Sequence, residues 1–204
     1  MSRHIGYLFI APAFIILFFT SIYPVAFSFY FSFFDWNWGN QENFIGLDNY
    51  LFLLTDPEFW TVIYNTFVFA SVSCFLEVTI GIILAIFVDR IVFCSTIIRT
   101  ILILPLMVSG IIVSMISKIM FNNLFGVIPY GLKQIDIRSS FFGSTEAAMP
   151  TLIGVDVWWQ TSFVFIIILA ALQGIPNDTV EAAKIDGASE WDITRFIRLS
   201  LIHI

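Results

Sequence analysis

The chain of 204 residues is 59% hydrophobic and only 12% charged, with 24 Phe and a mean hydropathy of +0.93, whereas an ordinary soluble domain is about one quarter charged. Its formal charge is -6, and its 9 Lys and Arg form no basic run or stripe, so nucleic acid is not an expected partner. The composition excludes a water-soluble globular domain and points to a lipid bilayer as the surrounding solvent.

The first predicted element begins at Ile5. From there to Phe34 no Asp, Glu, Lys or Arg occurs, a longer run than the roughly 20 residues a spanning helix needs. Pro24 is expected to kink or end that helix, and the run is too long for a cleaved signal peptide. Residues 35–58 read as a loop, so the chain divides into 1–58, an N-terminal span with its loop, and 59–204, a core domain. A second span falls within Phe59–Val88, interrupted only by Glu77. Gly81 and Ala85 give it a small-xxx-small face for close helix packing, and Glu77, one turn before Gly81, reads as a packing or subunit contact ahead of a substrate ligand. Cys74 and Cys94 fall on what reads as one helix, about 30 Å apart at 1.5 Å per residue, and are expected to be free thiols. A third span runs from Thr100 to Phe121 around Pro105, a fourth from Ala147 to Leu172 with Asp156 inside it, and a fifth begins near Phe196 and stops at Ile204. The expected fold is therefore all-α, a polytopic transmembrane bundle of four complete spans plus the start of a fifth.

Basic residues orient such a bundle, because positively charged loops stay cytoplasmic. Arg3 precedes the first span, Arg90 and Arg99 lie between the second and third, and Lys184, Arg195 and Arg198 follow the fourth. Residues 35–58 carry Asp35, Glu42, Asp48, Asp56 and Glu58 without a Lys or Arg, and residues 122–146 carry only Lys133 and Arg138. A cytoplasmic N-terminus follows, and with it a cytoplasmic segment 176–198.

In that segment, "IPNDTVEAAKIDGASEWDITRF", Pro176 stops the preceding helix and Asp178 with Glu181 has the spacing of a capping box. Gly187 supplies a left-handed residue to end the helix, and Ser189 with Asp192 starts another. Two short helices meeting at a glycine elbow result, thinned by Ala182, Ala183 and Ala188. Taken alone, the pattern also fits an interfacial amphipathic turn.

Several chemistries are missing. Lys118, Lys133 and Lys184 follow Ser117, Leu132 and Ala183, so no Walker A loop can cradle a nucleotide. His4 and His203, at opposite ends, exclude the usual zinc motifs, and no nucleophile is legibly paired with a base. Asp156 lies inside a span, where a charge costs about 2.5–3.5 kcal/mol on insertion scales. With Trp158 and Trp159 it could line a translocation pathway on which a sugar ring stacks. A helix-to-helix bond for the acid and an interfacial aromatic belt for the tryptophans are the structural alternatives.

"EAAKIDGASEWDITRFIRL" resembles the EAA loop of bacterial ABC-importer permease subunits, with Glu181, Ala182, Ala183, Gly187, Ile197 and Leu199 at the family's spacing. The likeness extends through "FIGLDNYLFLLTDPEFW", "YNTFVFASVSCFLEVTIGIILAI", "LILPLM" and "AALQGIP", and these stretches are similar to the carbohydrate branch, the maltose and glycerol-phosphate type. The chain departs from the family's usual residues at Ser200 and Ser162, where proline is frequent, and at Pro129, where asparagine is common. The resemblance implies the type I permease fold with two further spans, so that this chain would be a fragment or a truncated product. It implies a multi-pass subunit of a bacterial or archaeal cytoplasmic membrane that moves a sugar or related polyol and binds no cofactor or metal itself. It further implies ATP hydrolysis in separate ATP-binding subunits, a second permease subunit, an extracytoplasmic substrate-binding protein, and Glu181, Ala182, Ala183, Asp186, Gly187 and Ala188 as the coupling surface toward the ATPase. A channel and a membrane-embedded enzyme are the rival readings.

Overall fold

The computed structural model describes residues 3–37, 43–91, 94–135 and 140–198. The expected fifth span beyond 198, with Leu199, Ser200 and His203, lies outside them, as does Arg138. Contacts divide the chain into two units, Met1–Asn65 and Thr66–Ile204.

In the first unit, α1 (Arg3–Leu17) runs through a π turn (Phe18–Ile22) into α2 (Tyr23–Phe31). Pro24 does not end the apolar run. It lacks the N–H for an i to i−4 bond, and the turn just before it loosens so that Tyr23 N–H reaches back five residues to Phe18 O, the local adjustment by which helices absorb such breaks. Residues Phe9–Phe31 are thus long and apolar enough to cross a membrane. A two-residue antiparallel pair, β1 (Phe34–Asp35) with β2 (Asn43–Phe44), follows, and then α3 (Asp48–Thr55). Gly46, at φ +63°, makes the turn into α3. Asn49 Nδ2 donates to the carbonyls of Ser32 and Phe34 at 2.9 and 3.2 Å, and the Tyr50 and Ser32 hydroxyls share a 2.6 Å bond. Phe27, Phe31 and Trp36 form a cluster of rings, with Phe27 edge-on to Trp36 and Phe31 tilted against both.

α4 (Pro57–Arg90) is the longest helix. The second unit continues with α5 (Ser95–Ile103), a 3-10 turn (Leu104–Met107), α6 (Gly110–Met120), α7 (Val127–Lys133) and α8 (Thr145–Gln173). Beyond them lie α9 (Asn177–Ile185), α10 (Glu190–Asp192) and a π turn (Ile193–Arg198). Cys94 is corrected from its expected place on α4: it precedes α5 with a left-handed φ of 60°, and both cysteines are free and exposed.

Helices α4 and α8 have the length and composition of spans. The third span is not the single helix expected from Thr100 to Phe121. Helices Ser95–Met107 and Gly110–Met120 meet at 92°, because Pro105 tightens the chain into a 3-10 turn and Val108 and Ser109 then take extended backbone. Among the described residues there are three spans, or four if the bent pair counts as one.

The core of the second unit joins α4 to α8. Ala85 and Val88 are fully buried with Phe165, and Ile168, Leu169 and Leu172 complete the cluster. Lipid tails are as apolar as leucine, so what holds such helices together is close packing, and Gly81 provides it. A Cβ there would lie 2.6 Å from Val164 Cγ1 and 3.3 Å from the backbone of Phe165. The small face expected from Gly81 and Ala85 is the contact face.

Candidate functional site

The segment after α8 is built from local rules. α8 ends at Gln173, Gly174 follows, and Pro176, extended at φ −61° and ψ 134°, precedes α9. The helix therefore starts at Asn177, and Asp178 lies inside its first turn. This corrects the expected capping box, since no side chain caps α9; Asp178 instead places negative charge near the positive end of the helix dipole. At the other end Ala188 N–H bonds Ala183 O at 3.0 Å and Gly187 N–H bonds Lys184 O at 3.1 Å, the two bonds of a Schellman turn. Gly187 takes φ +84°, a region costly for residues with a Cβ. The second cap is as expected: Asp192 N–H donates to Ser189 Oγ, while the Asp192 carboxylate accepts from the Ser189 backbone and hydroxyl. Those bonds from Ser189 hold Asp192 below the usual carboxylate range, with Arg195 adding a smaller push in the same direction.

The elbow is open. A Cβ on Gly187 would meet nothing within 4 Å, and two large apolar side chains flank it in the open, Ile185 at 86% and Trp191 at 69% exposure. Glu181, Ala182 and Asp186 are exposed and Ala183 and Ala188 half-buried. The six expected coupling residues thus lie together on one short helix and its turn.

Its ends are held. Ile193 and Thr194, just beyond the elbow, are buried, and Arg90 Nη2 at the end of α4 donates to Thr194 Oγ1 at 3.0 Å. At the entry, with the Gln173 carboxamide turned to satisfy both groups, its oxygen accepts from Arg99 Nη2 and Nη1 at 2.9 and 3.0 Å, and Ile175 packs on the α4–α8 core. Arg90 and Arg99 entered the sequence reading only as topological charges, and Gln173 and Thr194 not at all. Arg90 and Thr194 are 104 residues apart, so no local pattern could pair them.

The expected pathway residues do not converge on one surface. Asp156 of α8 faces Glu77 of α4, side chain to side chain. Glu77 Oε1, Ser73 Oγ and Thr161 Oγ1 are buried without a hydrogen-bond partner among the described residues. Trp159 turns to the bent pair: its Nε1 donates to Val108 O at 3.0 Å, and its ring lies where a Cβ on Gly110 would be 2.9 Å away. Trp158 lines two cavities. One, about 550 Å³, is walled by Val113, Ile116, Met120, Phe121 and Pro150. The other, about 300 Å³, lies among Ile80, Leu84, Leu102, Pro105 and Thr161.

A protein-family model described as "Binding-protein-dependent transport system inner membrane component" matches residues 77–202, which is more than half the chain and includes α4 from Glu77, the bent pair, α8 and the elbow. The chain belongs to that family. This permease is 35% identical over 196 residues to the probable starch degradation products transport system permease protein AmyD of Thermoanaerobacterium thermosulfurigenes, covering 96% of this chain and 67% of that one. It is 32% identical over 200 residues to the trehalose/maltose transport system permease protein MalF of Thermococcus litoralis, covering 97% and 68%. Its fold matches a chain of a bacterial alginate ABC transporter solved in complex with an alginate pentasaccharide-bound periplasmic protein, with a TM-score of 0.82, 25% identity, and 98% and 67% coverage. The permease spans between 58% and 71% of the lengths of the first three relatives it matches. Membership makes it a membrane-embedded transport subunit with the fold expected from the EAA segment, and the channel and enzyme readings give way to it.

Proposed function

We propose that the permease is one of the two membrane subunits of an ATP-driven importer for a sugar or related polyol, and that residues 181–188 receive force from a separate ATPase subunit. The observation that carries this reading is the open elbow: a helix with exposed Ile185, a glycine at φ +84° with free space around it, and ends bonded to α4 and α5. Such a helix suits a groove on a partner, with its apolar side chains as anchors and the acidic edge of Glu181 and Asp186 setting orientation. The N-terminus is cytoplasmic in this reading, which the basic residues around the second and fourth spans support, and the elbow, lying beside the α4 end at Arg90, falls on that same side. The relatives named for starch products and for trehalose and maltose support the substrate class, and Trp158, bordering two cavities, is the side chain best placed to meet a sugar on its way. This chain binds no cofactor in the proposed cycle; ATP is bound and hydrolysed by the partner, and an extracytoplasmic binding protein delivers cargo.

Vesicles carrying the permease with its second permease and ATPase subunits test the reading. Labelled maltodextrin should accumulate only when ATP is inside and the binding protein outside. Flux that persists without either would contradict it and reinstate a channel.

A further inference from the structure

We propose that Arg99 and Arg90 are positioning residues that clamp the entry and exit of the 174–192 segment to the spans, so that a push on the elbow is delivered to α4 and α5. The inference deepens the proposed function and rests on it. Two independent bonds carry it. Arg99, in α5, grips the Gln173 carboxamide oxygen with both terminal nitrogens at 2.9 and 3.0 Å, a two-pronged hold on the last residue of α8. Arg90, the last residue of α4, reaches Thr194 at 3.0 Å, and Thr194 is 4% exposed with Ile193 beside it at 0%. Between these holds the chain is largely open, with Ile185, Gly187 and Trp191 exposed.

The mechanics follow from stiffness. A short helix hinged on free linkers would yield when pushed, whereas one whose two ends are bonded to different helices passes displacement to both. The Schellman turn and the Ser189–Asp192 cap keep the segment itself from bending. The two clamps also differ in chemistry. Thr194 needs one N–H donor, which a lysine ammonium can provide, but the Gln173 oxygen takes two from a planar fork that lysine lacks.

The assembled transporter in vesicles provides the test, with uptake and ATP hydrolysis measured on the same preparation and amide exchange recorded across residues 177–192. Arg90→Ala and Arg99→Ala should retain co-purification with the ATPase subunits while uptake per ATP falls about tenfold, the scale of losing a hydrogen bond to a charged group. Thr194→Val should lower uptake per ATP in the same direction as Arg90→Ala, and the two together should lose less than the sum of their separate losses. Arg90→Lys should restore most of the uptake and Arg99→Lys should not. Exchange at the loop ends should quicken in both alanine variants. Unchanged uptake per ATP with both arginines replaced, or unchanged exchange, would overturn the clamp. Failure of the unaltered permease to bind ATPase subunits would instead count against the proposed function, and the exchange measurement tells the two failures apart.

Discussion

Gly81 and Gly187 are the same residue used for opposite physical reasons. At Gly81 there is no room: α8 lies so close that a Cβ would fall 2.6 Å from Val164 Cγ1. At Gly187 there is nothing but room, and the constraint is the backbone at φ +84°. The first glycine allows two spans to touch, and the second turns a helix end outward. Small residues inside the bilayer thus serve packing within the chain, whereas the glycine of the elbow has open space around it.

Breaking the second use should have the larger effect on transport. Gly187→Val forces a β-branched residue into the left-handed region, and membrane insertion should stay intact while coupled uptake is abolished. Gly187→Asn sharpens the point, because asparagine tolerates that φ. If Asn restores the fold of the elbow by amide exchange but not uptake, the free space matters to docking as well as the backbone angle. Normal uptake by Gly187→Val would show the elbow to be an interfacial turn. Breaking the first use should show in stability. Gly81→Ala should destabilise the detergent-solubilised protein by about 1–3 kcal/mol, and Val164→Ala in the same chain should recover part of it by removing Cγ1, the Val164 Cβ still lying 2.9 Å from the new methyl. An additive double variant would mean that the two helices do not meet at Gly81.

What could be read from sequence divides along the same line. The small face of α4, the left-handed glycine and the Ser189 cap are patterns written within a turn or two of chain, and their residue types carry the signal. The 92° bend of the third span was not legible. Pro105 announces a disturbance, but the Val108 carbonyl that it frees is taken up by the N–H of Trp159, 51 residues from Val108. In a bilayer an unpaired carbonyl has no water to turn to. The meeting of Glu77 with Asp156 and of Arg90 with Thr194 was hidden for the same reason. α9 starts two residues earlier than the Asp178 capping box places it, because the extended Pro176 takes the N-cap position and Asn177 is the first helical residue.

Trp159→Phe is the next smaller test. It removes the donor to Val108 O together with the outer indole atoms that lie against Gly110, and about 1–3 kcal/mol of stability should go with the lost bond. Spin-label distances between α5 and α6 should broaden, and an unchanged distribution would mean that Pro105 alone sets the bend. The smallest effect is expected at the second cap. Ser189→Ala should cost about 1 kcal/mol of local helix stability. Because hydrogen bonds from Ser189 lower the Asp192 carboxyl below its ordinary range, the cap is complete above that range and weakens as pH falls through Asp192's own lower value. Amide protection near residue 192, measured relative to the intrinsic exchange rate at each pH, should fall on acidification in the unaltered chain and respond less in Ser189→Ala.

The most direct measurement is a cross-link from the elbow to the ATPase. With Cys74 and Cys94, both exposed, replaced by serine, Ile185→Cys carrying a short photoreactive group should attach to an ATPase subunit in transporting vesicles, with a yield that changes when ATP is added. A transport-competent preparation in which residue 185 labels only lipid would contradict the account.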